Sequence, residues 1–282
     1  MSEVHKFSHE AMATTFEIFL ASDDQDYAAS IARDAFALLD RLEEQLSRFR
    51  PHSDISIINF LKSGESVRVS IPAFDCLKLA FQISSETGGA FDVSLAPVMD
   101  CIRNDKGEIT EFKQEVLDEA FAEKREGLYL LSEEDLSIYC QEIGAGIDLG
   151  GIGKGFALDQ MAEFLEEWEL PQALLHGGGS TVLALDPPDG QEGWKVGFGE
   201  ESGKEPMVLR RAALSGSGKA VKGAHVLDPR TGKPALGYTR TWAKAPSAAL
   251  SDALSTAFMV MSSEEVDAYC EAHPGVSAYF LA

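Results

Sequence analysis

A chain of 282 residues with a formal net charge of −22 is long enough for one large domain or two small ones, and its surface repels phosphate backbones, which argues against nucleic acid and anionic membranes as partners. Its 45% hydrophobic and 25% charged residues are ordinary for a soluble globular protein, and no run of eighteen apolar residues is present to span a membrane. Cys76, Cys101, Cys140 and Cys270 are scattered without a Cys-x-x-Cys pair, which argues against a zinc or redox pair and fits a reducing compartment. Residues 1–10 are polar and lack the apolar centre of a signal peptide, so a cytoplasmic location is expected.

Residues 14–20 alternate Phe16, Ile18 and Leu20 against Thr15, Glu17 and Phe19, the pattern of a strand, with Met12 just before it as a core side chain. Residues 26–49 predict a long amphipathic helix with Ile31, Ala35, Leu38, Leu42, Leu46 and Phe49 on one stripe, stopped by Pro51. A short helical turn is expected over 54–59. A further helix starts near Pro72 and is capped by Gly88 and Gly89. Residues 114–124 predict a helix. Three strands over 128–131, 136–140 and 143–149 predict an antiparallel meander. Strands are expected over 173–175 and 181–185, around a glycine turn that holds His176, and again over 194–199 and 206–214. Residues 215–218 read as a small-residue loop and residues 228–232 as a turn. A helix over 252–261 with Ser251 as N-cap, a helix over 262–272 and a strand over 276–281 close the chain. Strands and helices alternate irregularly, without repeats or a long linker, which predicts a single α+β domain over residues 1–282.

Residues 148–159 place four glycines and Lys154 between an expected strand and an expected helix. Glycines at a helix start let backbone N–H groups approach an anion, and Lys154 adds a full charge. The spacing matches neither a P-loop, since Asp148 stands five before Gly153, nor a dinucleotide fingerprint, since the third glycine position falls on Phe156. Taken alone, the stretch reads equally as a tight turn into an amphipathic helix. Asp252 and Thr256, four apart, share a helix face and offer two hard oxygens of the kind magnesium accepts. That pair also reads as an acid complementing a helix dipole beside a buried threonine.

Six motifs occur in one order: Met12-x-Thr14-Thr15, Phe49-Arg50-Pro51-x-Ser53, Gly89-Ala90-Phe91-Asp92-Val93, the Asp148-Leu149-Gly150-Gly151-Ile152-Gly153-Lys154-Gly155 stretch, His225-Val226-Leu227-Asp228-Pro229-Arg230-Thr231-Gly232, and Asp252-Ala253-Leu254-Ser255-Thr256. Order and spacing resemble the ApbE family, the FAD:protein FMN transferases, over nearly the whole chain. The resemblance implies an α+β fold of mostly antiparallel sheets with packed helices and FAD in a cleft between two halves. It implies a magnesium-dependent transferase that moves FMN from FAD to a Thr or Ser hydroxyl of a target flavoprotein and releases AMP, a post-translational flavinylation. It implies Asp252, Thr256 and the Gly151 carbonyl as metal ligands, and Met12, Phe49, Ala90, Phe91, Asp92, Lys154 and Val226 as FAD contacts. His225, beside the phosphates, is the candidate base and Asp252 a catalytic residue. An FAD pyrophosphatase giving FMN and AMP, and a non-catalytic FAD-binding protein, are the alternative readings of the same site.

Overall fold

The computed structural model describes residues 3–101, 114–122, 129–142, 146–199, 202–218, 226–235 and 237–281. Strands β1 (Glu3–Ala11) and β2 (Thr14–Ser22) form a hairpin. Its two-residue turn, Met12 and Ala13, lies in the left-handed region at φ 49° and 57°. Glycine and asparagine normally fill such positions, so this turn carries strain.

Helix α1 (Gln25–Leu46) starts at Asp24, whose side chain accepts the Tyr27 N–H, and buries Ile31, Ala35, Leu39, Leu42 and Leu46. It ends at Ser47, in extended backbone, short of the expected residue 49. Phe49 therefore leaves the apolar stripe and stands 66% exposed. Helix α2 (Asp54–Asn59), strand β3 (Ser66–Arg68) and helix α3 (Ile71–Glu86) follow, and Gly88 and Gly89 turn the chain at positive φ after α3. After α4 (Ala96–Asp100) and α5 (Gln114–Ala122), strands β4 (Tyr129–Ser132) and β5 (Ser137–Cys140) pair with β3 in a small sheet of order β3-β5-β4.

Residues 146–149 are not a strand, in contrast to the expected meander. Their backbone groups are taken up singly: Asn59 brackets the N–H and C=O of Ile147, and the Asp148 N–H donates to the Val93 carbonyl. Helix α6 (Gly153–Glu167) leads into β6 (Ala173–Gly177), β7 (Thr181–Ala184), β8 (Trp194–Val196), β9 (Met207–Leu209) and β10 (Ala212–Gly218). The single strand expected over 206–214 is thus two, and residues 215–218, expected as a loop, extend β10. Gly216 needs to be small there, because a Cβ would lie 2.7 Å from the Trp242 ring across the ladder. Strand β11 (Arg240–Ala245), helices α7 (Ala248–Ala257) and α8 (Ser263–Ala272) and strand β12 (Ser277–Leu281) complete the chain. Helix α7 starts one turn earlier than expected: Ser247 is its cap, and the Ser251 hydroxyl donates instead to the Ala243 carbonyl.

The main sheet has order β1-β2-β6-β7-β10-β11-β12, and every strand pairing among the described residues is antiparallel. Strand alternation sends Phe16, Ile18, Leu20, Leu175 and Leu183 to the face covered by α1, α6 and α7, the large core. Leu174, Ala184, Leu214 and Trp242 face the other way, under the β8–β9 ribbon. The mixed α+β architecture is as expected.

Candidate functional site

The loop from Asp148 to Gly155 is shaped by its own first residue. Asp148 Oδ1 accepts the Gly150 N–H at 2.8 Å, an Asx turn, and Oδ2 takes Arg48 Nη1 at 3.2 Å. Arg48 is mostly buried, also pairs with Asp100, and lies 5.1 Å from the Phe49 ring centroid. An open cleft of about 300 Å³ lies beside it, between Arg48, Asn59, Phe60 and Asp100.

At the far end of the loop, α6 begins without a side-chain cap of its own. The cap comes from α7. Asp252 Oδ2 accepts the Gly155 N–H at 3.1 Å and lies 3.2 Å from Lys154 Nζ. Its Oδ1 accepts the Thr181 hydroxyl at 3.2 Å and lies 3.4 Å from Lys154 Nζ. The carboxylate is 5% exposed, so this ammonium and these two donors carry the charge that water would otherwise solvate. One turn on, Thr256 Oγ1 lies 3.3 Å from the Ser217 hydroxyl, which also meets Ser255 Oγ at 2.9 Å. Thr241 donates to the Ser255 carbonyl at 2.6 Å. Thr181, Ser215, Ser217 and Thr241 are in register on neighbouring strands, so α7 rests on a polar patch within an otherwise apolar face. Among the described residues Ser215 Oγ, buried in that patch, has no hydrogen-bond partner.

Gly151 stands opposite Thr256. A Cβ on Gly151 would lie 3.7 Å from Thr256 Oγ1 and 3.1 Å from Phe91 Cε2. The structure therefore gathers Phe91, Gly151, Lys154, Asp252 and Thr256, drawn from three separated motifs. Ala90 and Phe91 are buried just after α3, the Phe91 N–H held by the Thr87 hydroxyl at 3.1 Å. Asp92 Oδ1 accepts the N–H and hydroxyl of Ser94 at 2.8 and 2.6 Å. The Val226 carbonyl accepts the Ala235 N–H at 2.8 Å, and in the turn it opens Arg230 bonds Asp228, reaches the Val260 carbonyl and passes 3.6 Å from where a Gly89 Cβ would be. Phe49 is joined through Arg48 and Asp148. Met12, in the β1–β2 turn, is partly buried against the large core. His225 lies outside the described residues.

His176, placed in a glycine turn by the sequence reading, is in β6 instead. Its ring packs against Phe19 at 5.4 Å, on the sheet face away from α7, and its buried Nε2 has no partner among the described residues. Burial there lowers its pKa from the ordinary value. Thr181, Ser217 and Asp159 were not legible as site residues: hydroxyls on strands carry no spacing signal, and only the fold puts Thr181 and Ser217 under α7 and Asp159 against its start. Asp159, on α6, accepts the Ala248 and Ala249 N–H groups at 2.7 and 2.8 Å, and burial pushes its carboxyl up to about 6.

Among the described residues no cluster of three His, Cys, Asp or Glu side chains could hold a metal. A cation here would rest on one carboxylate with neutral oxygens, the arrangement magnesium takes when substrate phosphates complete its shell.

The ApbE family model matches residues 12–280. An FAD:protein FMN transferase of Klebsiella pneumoniae strain 342 is 25% identical over 251 residues, covering 83% of this chain and 74% of that protein. One of Treponema pallidum strain Nichols is 27% identical over 278 residues, covering 88% and 76%. Among solved structures, the ApbE protein of Thermotoga maritima superposes with a TM-score of 0.85 at 25% identity, over 99% of this chain and 94% of its own. The apo form of Pseudomonas stutzeri flavinyl transferase ApbE gives 0.85 at 23% identity, over 99% and 92%. With the family model matched from Met12 to Phe280, nearly the whole length, this chain belongs to the ApbE family.

Proposed function

We propose that this chain transfers FMN from FAD to a Ser or Thr hydroxyl of a target flavoprotein and releases AMP, with magnesium held by Asp252, Thr256 and the Gly151 carbonyl. The donor set fits that cation: all three are hard oxygens, and Asp252 already holds a positive charge, the Lys154 ammonium. When bound, the cation would neutralise charge on the pyrophosphate oxygens.

The protein's own groups do the rest. Lys154 attracts the pyrophosphate by its charge. Phe91 fixes the wall beside Gly151, and exposed Phe49 offers a free ring face for flavin or adenine. His225 takes the proton of the acceptor hydroxyl, whose oxygen forms a bond to the FMN-side phosphorus. The bond from that phosphorus to the bridging oxygen breaks, and the bridging oxygen leaves with AMP. Arg48 stays with Asp148 and holds the loop open in the shape the pyrophosphate needs.

The observation that carries this reading is the meeting of Gly151 with Thr256 and of Lys154 with Asp252, residues about a hundred positions apart in sequence. Its test is AMP release from FAD with and without magnesium. Asp252→Ala should abolish the magnesium-dependent part, and unchanged turnover would remove the site.

A further inference from the structure

We propose that Asp159 is a positioning residue for the cation site, acting through α7. The inference rests on the reading of Asp252 and Thr256 given above. Helices α6 and α7 cap each other. Asp252, the fifth residue of α7, accepts the Gly155 N–H at the start of α6. Asp159, on α6, returns the contact by accepting the Ala248 and Ala249 N–H groups, the first two of α7. Ser247 takes the third, that of Leu250, at 3.2 Å. The first N–H groups of a helix have no partner within it, and a carboxylate there also meets the positive end of the dipole.

The two helix starts are in backbone contact. A Cβ on Gly155 would fall 2.2 Å from the Ala248 carbonyl oxygen, so neither helix can slide without breaking the pair of caps. Both side-chain metal oxygens, Asp252 and Thr256, ride on α7, while the third ligand, Gly151, sits two residues before α6. Asp159 therefore sets the distance between the two halves of the ligand set without touching cation or substrate. A carboxylate is required because both oxygens accept. An amide has one acceptor, and its NH2 would face the second N–H.

The test compares the full chain with Asp159→Asn, with Ser247→Ala, and with Asp24→Ala, which removes the cap of α1 (its bond to the Tyr27 N–H) away from the site. Asp159→Asn should raise the magnesium concentration for half-maximal AMP release about tenfold while the rate at saturating magnesium falls less than about threefold. It should also speed exchange of the Gly155 amide about tenfold or more beyond its rate in Asp24→Ala. Ser247→Ala should move the magnesium requirement the same way by about threefold, which keeps the test open should Asp159→Asn fold poorly. A magnesium requirement and Gly155 exchange no different from those of Asp24→Ala overturn the inference. A wild-type protein with no magnesium dependence overturns the site reading itself, whatever the exchange result.

Discussion

Replacing Asp252 by Asn removes its charge and keeps its shape, and the resulting loss can be worked out bond by bond. The carboxylate is 5% exposed and faces Lys154, the Gly155 N–H and the Thr181 hydroxyl. An amide keeps one acceptor oxygen, so one backbone or hydroxyl bond is lost, at about 1 kcal/mol. Lys154 is left without its countercharge. Its side chain is 23% exposed, so water offsets part of the cost of breaking a buried pair, leaving about 2 kcal/mol. The variant should be about 3 kcal/mol less stable than wild type. Lys154→Met alone leaves a buried carboxylate with two neutral donors and no countercharge, and should cost about 2 kcal/mol. In the double variant neither charge is stranded, so the loss is about 2 kcal/mol, smaller than for Asp252→Asn alone, and the coupling is about 3 kcal/mol. Urea unfolding of the four cation-free proteins measures it. A coupling below about 0.5 kcal/mol would refute the pairing, and with it the claim that Asp252 is held ready by a cation.

His225→Ala should slow FMN transfer by about a hundredfold or more while FAD affinity, measured by flavin fluorescence, changes less than about threefold; an equal loss in both removes its role as base. Ala13→Gly should stabilise the protein by roughly 0.5–1 kcal/mol in urea, because glycine relieves the left-handed turn at more gain than its added unfolded-state freedom costs; a loss would show the turn unstrained. Acid stability follows from three carboxyls. The Arg211 side-chain bond holds Asp186 below the usual carboxylate range, and the Ser262 N–H does the same for Glu265. The stability they contribute is present above about pH 4 and is lost as pH falls through their depressed folded values. Asp159 runs the other way. Burial raises its folded value to about 6, so its ionised form costs stability, and that cost is relieved on acidification from pH 7 towards the unfolded value. His176, whose buried ring resists protonation, opposes it over the same range. The sign is therefore read as a difference: relative to Asp159→Asn, wild type should gain stability between about pH 7 and pH 5. A flat difference contradicts the burial argument.

Much of this fold was readable before any coordinates. Helix α1 with its apolar stripe, the start of α3 near Pro72 and helix α8 each carry local signals that tertiary structure left in place. Strand β1 was missed because it is an edge strand with charged residues on both faces, and so lacks an apolar alternation. Strand β11 was missed because its inward residues, Thr241, Ala243 and Ala245, are small where α7 packs close. The same closeness made residues 215–218 look like a loop. In the site, Lys154, Asp252 and Thr256 were readable because charge, hydroxyl and helical spacing are local. Thr181, Ser217 and Asp159 were not, because each acts on a partner that only the sheet order and the α6–α7 contact bring near.

The most direct test of the account is to incubate the protein with FAD, magnesium and a flavoprotein carrying a Ser or Thr acceptor, then weigh the acceptor and count the AMP. The acceptor should gain the mass of one FMN less one water, with one AMP released for each. AMP accompanied by free FMN and an unmodified acceptor would make the protein a hydrolase, and no AMP at all would contradict the account outright.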